Sequence, residues 1–401
     1  MIKTLKLFLA QTVNVLKGKY RWMLILYVLW LYRVDFMPDT GGGIEKAIQI
    51  ITLFGLFFLV CRNCPKVLRK VRYGNSVVSS FFYLYLFALA SIMWSIMPMF
   101  SGFLAFQNIV LLFVFVWMFS LCKSFESLEK TFLIFTMMTI LFESIVLRFT
   151  YQPRFFVHYL PAASSAALCV SYCSGELLSM RKSNSQRRRL LVNCIIICLV
   201  VLVTSTSGGA NASAIFGISI ASILSGKVWI GAIFMIVSVF LYLNREYAES
   251  LIYFIMPGKT KVDIETTTGR SYLWDIMMEL AAKRPWFGYG FGCIERAATQ
   301  TQQIKSPDAH NNYLGLYGSL GYIGSAIAYI HFAIFFVYTY MRRKMVGFVG
   351  IISAFGCALM NGYSFGFLSG KACSITVVYI ELVVLTVYYV RFAVKSRTES
   401  K

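Results

Sequence analysis

Apolar stretches of membrane-span length recur along almost the whole chain. A helix that crosses a bilayer needs roughly 20 consecutive apolar residues, because about 30 Å of hydrocarbon is spanned at 1.5 Å per residue. Twelve hydrophobic segments read this way: 22–37, 44–61, 77–98, 101–122, 131–149, 156–178, 190–206, 209–225, 228–243, 311–339, 346–366 and 372–390. The 209–225 segment is the weakest, being short and rich in Gly, Ala and Ser. Of 401 residues, 58% are hydrophobic and only 14% charged, against about 25% charged in soluble proteins. Disorder, a coiled coil, a disulfide scaffold and an ordinary soluble enzyme are thereby excluded. The expected fold is an all-α polytopic membrane protein of about twelve transmembrane helices.

The formal net charge is +21. On a soluble domain such an excess would point to nucleic acid. Here the cations fall in short clusters between apolar runs, the positive-inside pattern, so no nucleic-acid partner is expected. With the N-terminus inside, the inner segments collect 25 of the 38 basic residues. The largest clusters are Lys3–Arg21, Arg62–Arg72 and Arg181–Arg189, and the rest include Arg342–Lys344 and the tail. Both termini are expected in the cytoplasm. Residues 1–21 hold no signal-peptide core and read as a short interfacial helix. The ten cysteines do not suggest a disulfide framework. Cys61 and Cys64 form one CxxC at a predicted helix end, with no second pair to complete a zinc site.

Three regions follow: spans one to nine over 1–243, a large extracytoplasmic loop over 244–309, and spans ten to twelve with the tail over 310–401. The loop has 66 residues with eight basic and eight acidic side chains, and a loop of that length is usually functional. Leu273, Ile276, Met277, Leu280 and Ala281 repeat at helical spacing, which predicts an amphipathic helix with Arg270 at its start and Pro285 closing it. Gly288-Tyr289-Gly290-Phe291-Gly292 follows a helix rather than a strand, so it reads as a tight turn at the bilayer surface and not as a nucleotide loop. The three histidines are scattered: His158, His310 at the mouth of the tenth span, and His331 deep within it. No protein metal site is expected from them.

These residues resemble a family. Gly269-Arg270-Ser271-Tyr272-Leu273-Trp274, then Arg284-Pro285-Trp286-Phe287-Gly288-Tyr289-Gly290, then His310-Asn311 are similar to the bacterial O-antigen ligase and O-antigen polymerase family (WaaL and Wzy types). The family pattern of His-Asn, nine residues, Gly, two residues, Gly reads here as His310-Asn311 followed by Gly321 and Gly324. The resemblance implies a metal-independent inverting membrane glycosyltransferase of the GT-C kind, needing no cofactor, in the inner membrane with its active site on the periplasmic face. Such an enzyme moves a glycan en bloc from undecaprenyl diphosphate to an acceptor sugar hydroxyl. The acceptor is a lipid-linked repeat for a polymerase and the lipid A core for a ligase.

The residue types suit that chemistry. The donor carries its own leaving group, so the protein must neutralise a diphosphate and activate a hydroxyl. A guanidinium grips phosphate with a bidentate fork, and Arg270 is the leading candidate. A histidine accepts a proton at neutral pH, which assigns His310 as general base. Asn311 would orient the imidazole or bind a sugar hydroxyl. Gly321 and Gly324, three residues apart, would let another helix pack closely. The chain departs from the ligases at Thr204-Ser205-Thr206-Ser207-Gly208-Gly209, where the resemblance leads one to expect an arginine that is missing. Arg154 is the expected substitute, with Arg148, Lys259, Lys261 and Arg284 as rivals. The departure tilts the reading from ligase towards polymerase. A lipid-linked oligosaccharide flippase or transporter is the alternative from another class, though no internal repeat supports it.

Overall fold

The computed structural model describes residues 27, 43–71, 76–146, 160–180, 185–205, 207–229, 233, 236, 270–302, 310–370 and 372–399. Most of the expected first and ninth spans lie outside these residues, as do loop residues 244–269 and 303–309. So do Arg148, Arg154, His158, Lys259 and Lys261.

The described residues form helices joined by turns, with no strand among them. In chain order the helices are α1 Gly43–Val71, α2 Ser76–Ala90, α3 Pro98–Ser120, α4 Phe125–Val146, α5 Leu160–Ser179, α6 Ser185–Thr204 and α7 Gly208–Leu224. The loop supplies α8 Arg270–Lys283 and α9 Ile294–Gln302, and then come α10 Asn312–Tyr340, α11 Phe348–Asn361 and α12 Ser374–Glu399. Among the described residues, four stretches are long and apolar enough to cross a membrane: Ser76–Met93, Pro98–Ser120, Asn312–Tyr340 and Ser374–Phe392. Three shorter apolar helices accompany them at Ala47–Asn63, Gly208–Leu224 and Phe348–Asn361. Their outward sides stay apolar: Phe58, Ile223 and Ile330 are exposed. Such faces suit lipid, since a soluble monomer rarely exposes contiguous apolar surface.

Small residues bring α5, α7 and α11 unusually close. A Cβ on Gly175 of α5 would sit 2.7 Å from the Gly350 Cα of α11, and one on Gly217 of α7 would meet Ser171 of α5 at 2.2 Å. The segment that reads weakest in sequence is thus a full helix, because Gly, Ala and Ser serve close helix contact where apolar bulk is not the driving force. Residues 346–366 read as one span, but α11 is helical only over Phe348–Asn361, and residues 362–370 form a non-helical crossing. Residues 43–71 form one helix that carries the CxxC well inside it rather than at its end.

At one end of the bundle a buried polar network ties the helices. Arg187 of α6 donates from Nε and Nη2 to the two oxygens of Glu129 of α4, each at 2.6 Å. Its Nη2 also reaches Glu176 of α5 at 2.5 Å. Tyr172 Oη donates to Glu129 at 2.9 Å and meets the hydroxyl of Tyr389 on α12. Glu176 accepts the amides of Gly347 at 3.1 Å and Gly350 at 3.0 Å. A carboxylate from α5 therefore caps α11, whose own N-cap Gly347 has no side chain to do so.

Candidate active site

The opposite end carries His310. Asn311 is the N-cap of α10, and its Oδ1 accepts the amides of Tyr313 and Leu314, both at 3.0 Å. The carboxamide oxygen is thus committed to starting the helix, as an Asx side chain at N-cap normally is. The next residue, Asn312, receives Phe367 N at 3.1 Å and Leu368 N at 2.7 Å, and donates its own amide to Gly362 O at 2.8 Å. These bonds lash the 362–370 crossing to the head of α10. His310 stands just before the cap with φ +48, the one non-glycine positive φ among the described residues. Its ring stacks on Phe365 at 6.1 Å and 28°. A left-handed histidine is uncommon and costs backbone energy, so the surrounding bonds hold it there.

Polar groups gather at this level. Ser164 of α5 donates to Asn361 Oδ1 at 3.1 Å. Ser364 donates to Asn361 O at 3.1 Å and lies against Gly209, whose added Cβ would meet it at 2.4 Å. The Ser207–Gly209 end of the Thr204–Gly209 run therefore arrives here, with Ser207 accepting Ala210 N at 3.4 Å as the N-cap of α7. The Nδ2 atoms of Asn312 and Asn361 are buried donors without a hydrogen-bond partner among the described residues. Asn312, Asn361 and Ser164 escape sequence reading. Asn312 follows His310 by two residues, while Asn361 and Ser164 lie far along the chain and meet at this level only in the fold.

The loop folds against the same region. Leu273, Ile276, Met277, Leu280 and Ala281 of α8 are all buried. All but Ala281 join one apolar cluster with Tyr289, Cys293, Ile294, Ala297, Ala298 and Leu314, one turn past His310. Arg270 opens α8, which ends at Lys283 before Pro285. The structure describes the backbone position of Arg270 and not its side chain.

Gly321 has a different role from the one its spacing suggests. It breaks α10, with φ 65 and ψ −165, and what packs on it is the turn after α8 rather than another helix. Tyr289 N and Gly290 N donate to Gly318 O and Ser319 O at 3.0 and 2.9 Å. Tyr322 N and Ile323 N donate to Pro285 O and Trp286 O at 2.7 and 3.3 Å. The turn thus supplies partners to the carbonyls and amides that the break sets loose, as buried backbone groups require. A Cβ on Gly321 would sit 2.3 Å from Trp286 C and O. The Gly288-Tyr289-Gly290-Phe291-Gly292 stretch is a tight turn, as the sequence suggests, with φ 68, 100 and 69 at its glycines. Gly324 contacts Leu320 and Phe87.

Arg284 is exposed, with its guanidinium carbon 4.9 Å from the centroid of the Tyr289 ring. The structure therefore joins the helix that begins at Arg270, the Arg284 turn and the His310 helix into one packed unit, while Arg154 lies outside the described residues.

A helical bundle with span-length apolar helices, and with a histidine locked at the mouth of a broken one, is an integral membrane protein with a polar site at one end. Residues 192–329, about a third of the chain, match the O-antigen ligase family, in support of the resemblance that the motifs carry. The match contains Arg270, Arg284, His310 and Asn311, and excludes Arg154. A search of curated proteins finds no match.

Proposed function

We propose that the protein is a membrane glycosyltransferase of the inner membrane that moves a glycan en bloc from undecaprenyl diphosphate to an acceptor sugar hydroxyl. Its part in surface-polysaccharide assembly is that of a polymerase, joining lipid-linked repeats. The observation that carries the reading is the joining of motifs: the α8 helix that Arg270 opens and the helix headed by His310 and Asn311 share one apolar cluster inside the matched domain. Arg270 holds the donor diphosphate and stabilises charge on the leaving group. His310 takes the proton from the attacking hydroxyl. Asn311 builds the helix start that holds His310, and the unmatched amides of Asn312 and Asn361 are donors suited to sugar hydroxyls or phosphate oxygens. Arg154 and Arg284 supply further phosphate contacts, the active site faces the periplasm, and no metal is required.

Deletion of the gene followed by gel analysis of surface polysaccharide tests this. A product carrying a single repeat on the lipid A core is expected. Long chains accumulating on the lipid carrier would instead identify a ligase, and unchanged polysaccharide would remove the assignment.

A further inference from the structure

One cleft is used by none of the roles above except through Arg284. It has a volume of about 260 Å³ and is lined by Trp94, Arg284, Pro285, Trp286, Phe287 and Gly288. Its aromatic walls are fixed in place. Trp94 donates Nε1–H to Phe287 O at 2.8 Å and meets the Phe287 ring edge-on at 5.2 Å. Trp286 packs edge-on against Tyr322 at 5.7 Å. Their outer faces remain open, with Trp286 64% and Phe287 48% exposed. Arg284 stands over Tyr289, and the ion pairs among the described residues are those of Arg187. The cleft sits where Ser76–Met93 turns into Pro98–Ser120, beside the break at Gly321. Tryptophan at the ends of apolar spans marks the membrane–water interface.

An aromatic face is electron-rich and accepts the C–H face of a pyranose ring, while a guanidinium accepts phosphate in its fork. The two line one cleft here, at the ends of two apolar span-length helices. A bilayer anchor would need the aromatics but not the cation-lined hollow. We infer that this cleft binds the pyranosyl-phosphate end of a lipid-linked glycan, with Arg284 on the phosphate and the first sugar ring against Trp286 and Phe287. The inference rests on the lipid-linked substrate proposed above.

The full chain, purified in detergent, is titrated calorimetrically with farnesyl diphosphate carrying N-acetylglucosamine, and separately with farnesyl diphosphate alone. Trp286→Ala should weaken the sugar-bearing probe by about threefold to tenfold, the contribution of one ring face, and leave the bare probe unchanged. Trp286→Tyr should restore binding. Arg284→Ala should weaken both probes by at least about tenfold. If Trp286→Ala lowers the thermal midpoint, Phe287→Leu makes the same comparison. Equal effects of Trp286→Ala on both probes, no binding of either by the wild type, or equal competition by phosphatidylglycerol, the mark of an ordinary lipid site, would each overturn the inference. Binding is read without turnover, so a failed polysaccharide assay and a failed cleft are separate results.

Discussion

At the scale of single residues, two side chains carry the proposed chemistry. His310 is held at φ +48, a conformation that asparagine tolerates as well as histidine does. His310→Asn should therefore fold and express normally while losing visible polymer, since general-base help is worth about 10²–10⁴ in rate. Thermal unfolding beside the gel assay checks both halves. A base must be neutral to work, so activity of the purified enzyme should fall as acidification protonates the imidazole. Activity rising towards low pH would assign His310 as a cation on the diphosphate instead. For Arg270 the informative change is Arg270→Lys, which keeps the charge and loses the fork. A loss of about 10²–10³ in transfer rate is expected, and wild-type polysaccharide from this variant would count against the diphosphate role.

At the scale of elements, α10 is two helices joined by a glycine, and the loop turn stitches them together. Gly321→Ala puts a Cβ 2.3 Å from the Trp286 backbone and forces a left-handed φ on alanine. Strain alone costs about 1–3 kcal/mol, and the clash adds to it. A lowered thermal midpoint in detergent is expected, whereas an unchanged one would mean that the turn does not grip the break. The network at the opposite end makes a second test. Arg187 has 14% side-chain exposure and serves two buried carboxylates. Arg187→Met should destabilise by about 3–5 kcal/mol, because removing one partner strands buried charge. Converting Glu129 and Glu176 to Gln in the same chain should recover much of that loss, since the stranded charge is then gone.

At the scale of the whole molecule, the proposed mechanism requires His310 and residues 244–309 outside and the Arg187 end in the cytoplasm. Helix α5 carries Ser164 at the His310 end and Glu176 at the Arg187 end, so these two ends lie at opposite ends of the bundle. Phosphatase and β-galactosidase reporter fusions after Asn244 and Lys344 should read outside and inside respectively. A cytoplasmic signal at Asn244 would end both the topology and the chemistry drawn from it.

Much of this protein is written along the chain. Four of the spans read from apolar length stand among the described residues as helices long enough to cross a membrane, because the bilayer imposes a local requirement that about twenty neighbouring residues can meet. The α8 face at Leu273, Ile276, Met277, Leu280 and Ala281 follows from helical periodicity, and all five are buried as that period demands. The motifs around Arg270 and His310 are likewise local strings, and the family match at 192–329 contains them. What the chain does not show is decided by contacts between distant residues. Gly321 reads as a packing glycine until the turn at Pro285–Gly290 arrives to take its loosened hydrogen bonds. Glu176 caps a helix 171 residues away, a partnership with no mark in the sequence around it. Asn361 lies far along the chain from His310, and the 362–370 crossing that follows it lays Phe365 on the His310 ring. Backbone groups released from a helix must find partners in the folded chain, and their identity is a property of the tertiary structure alone.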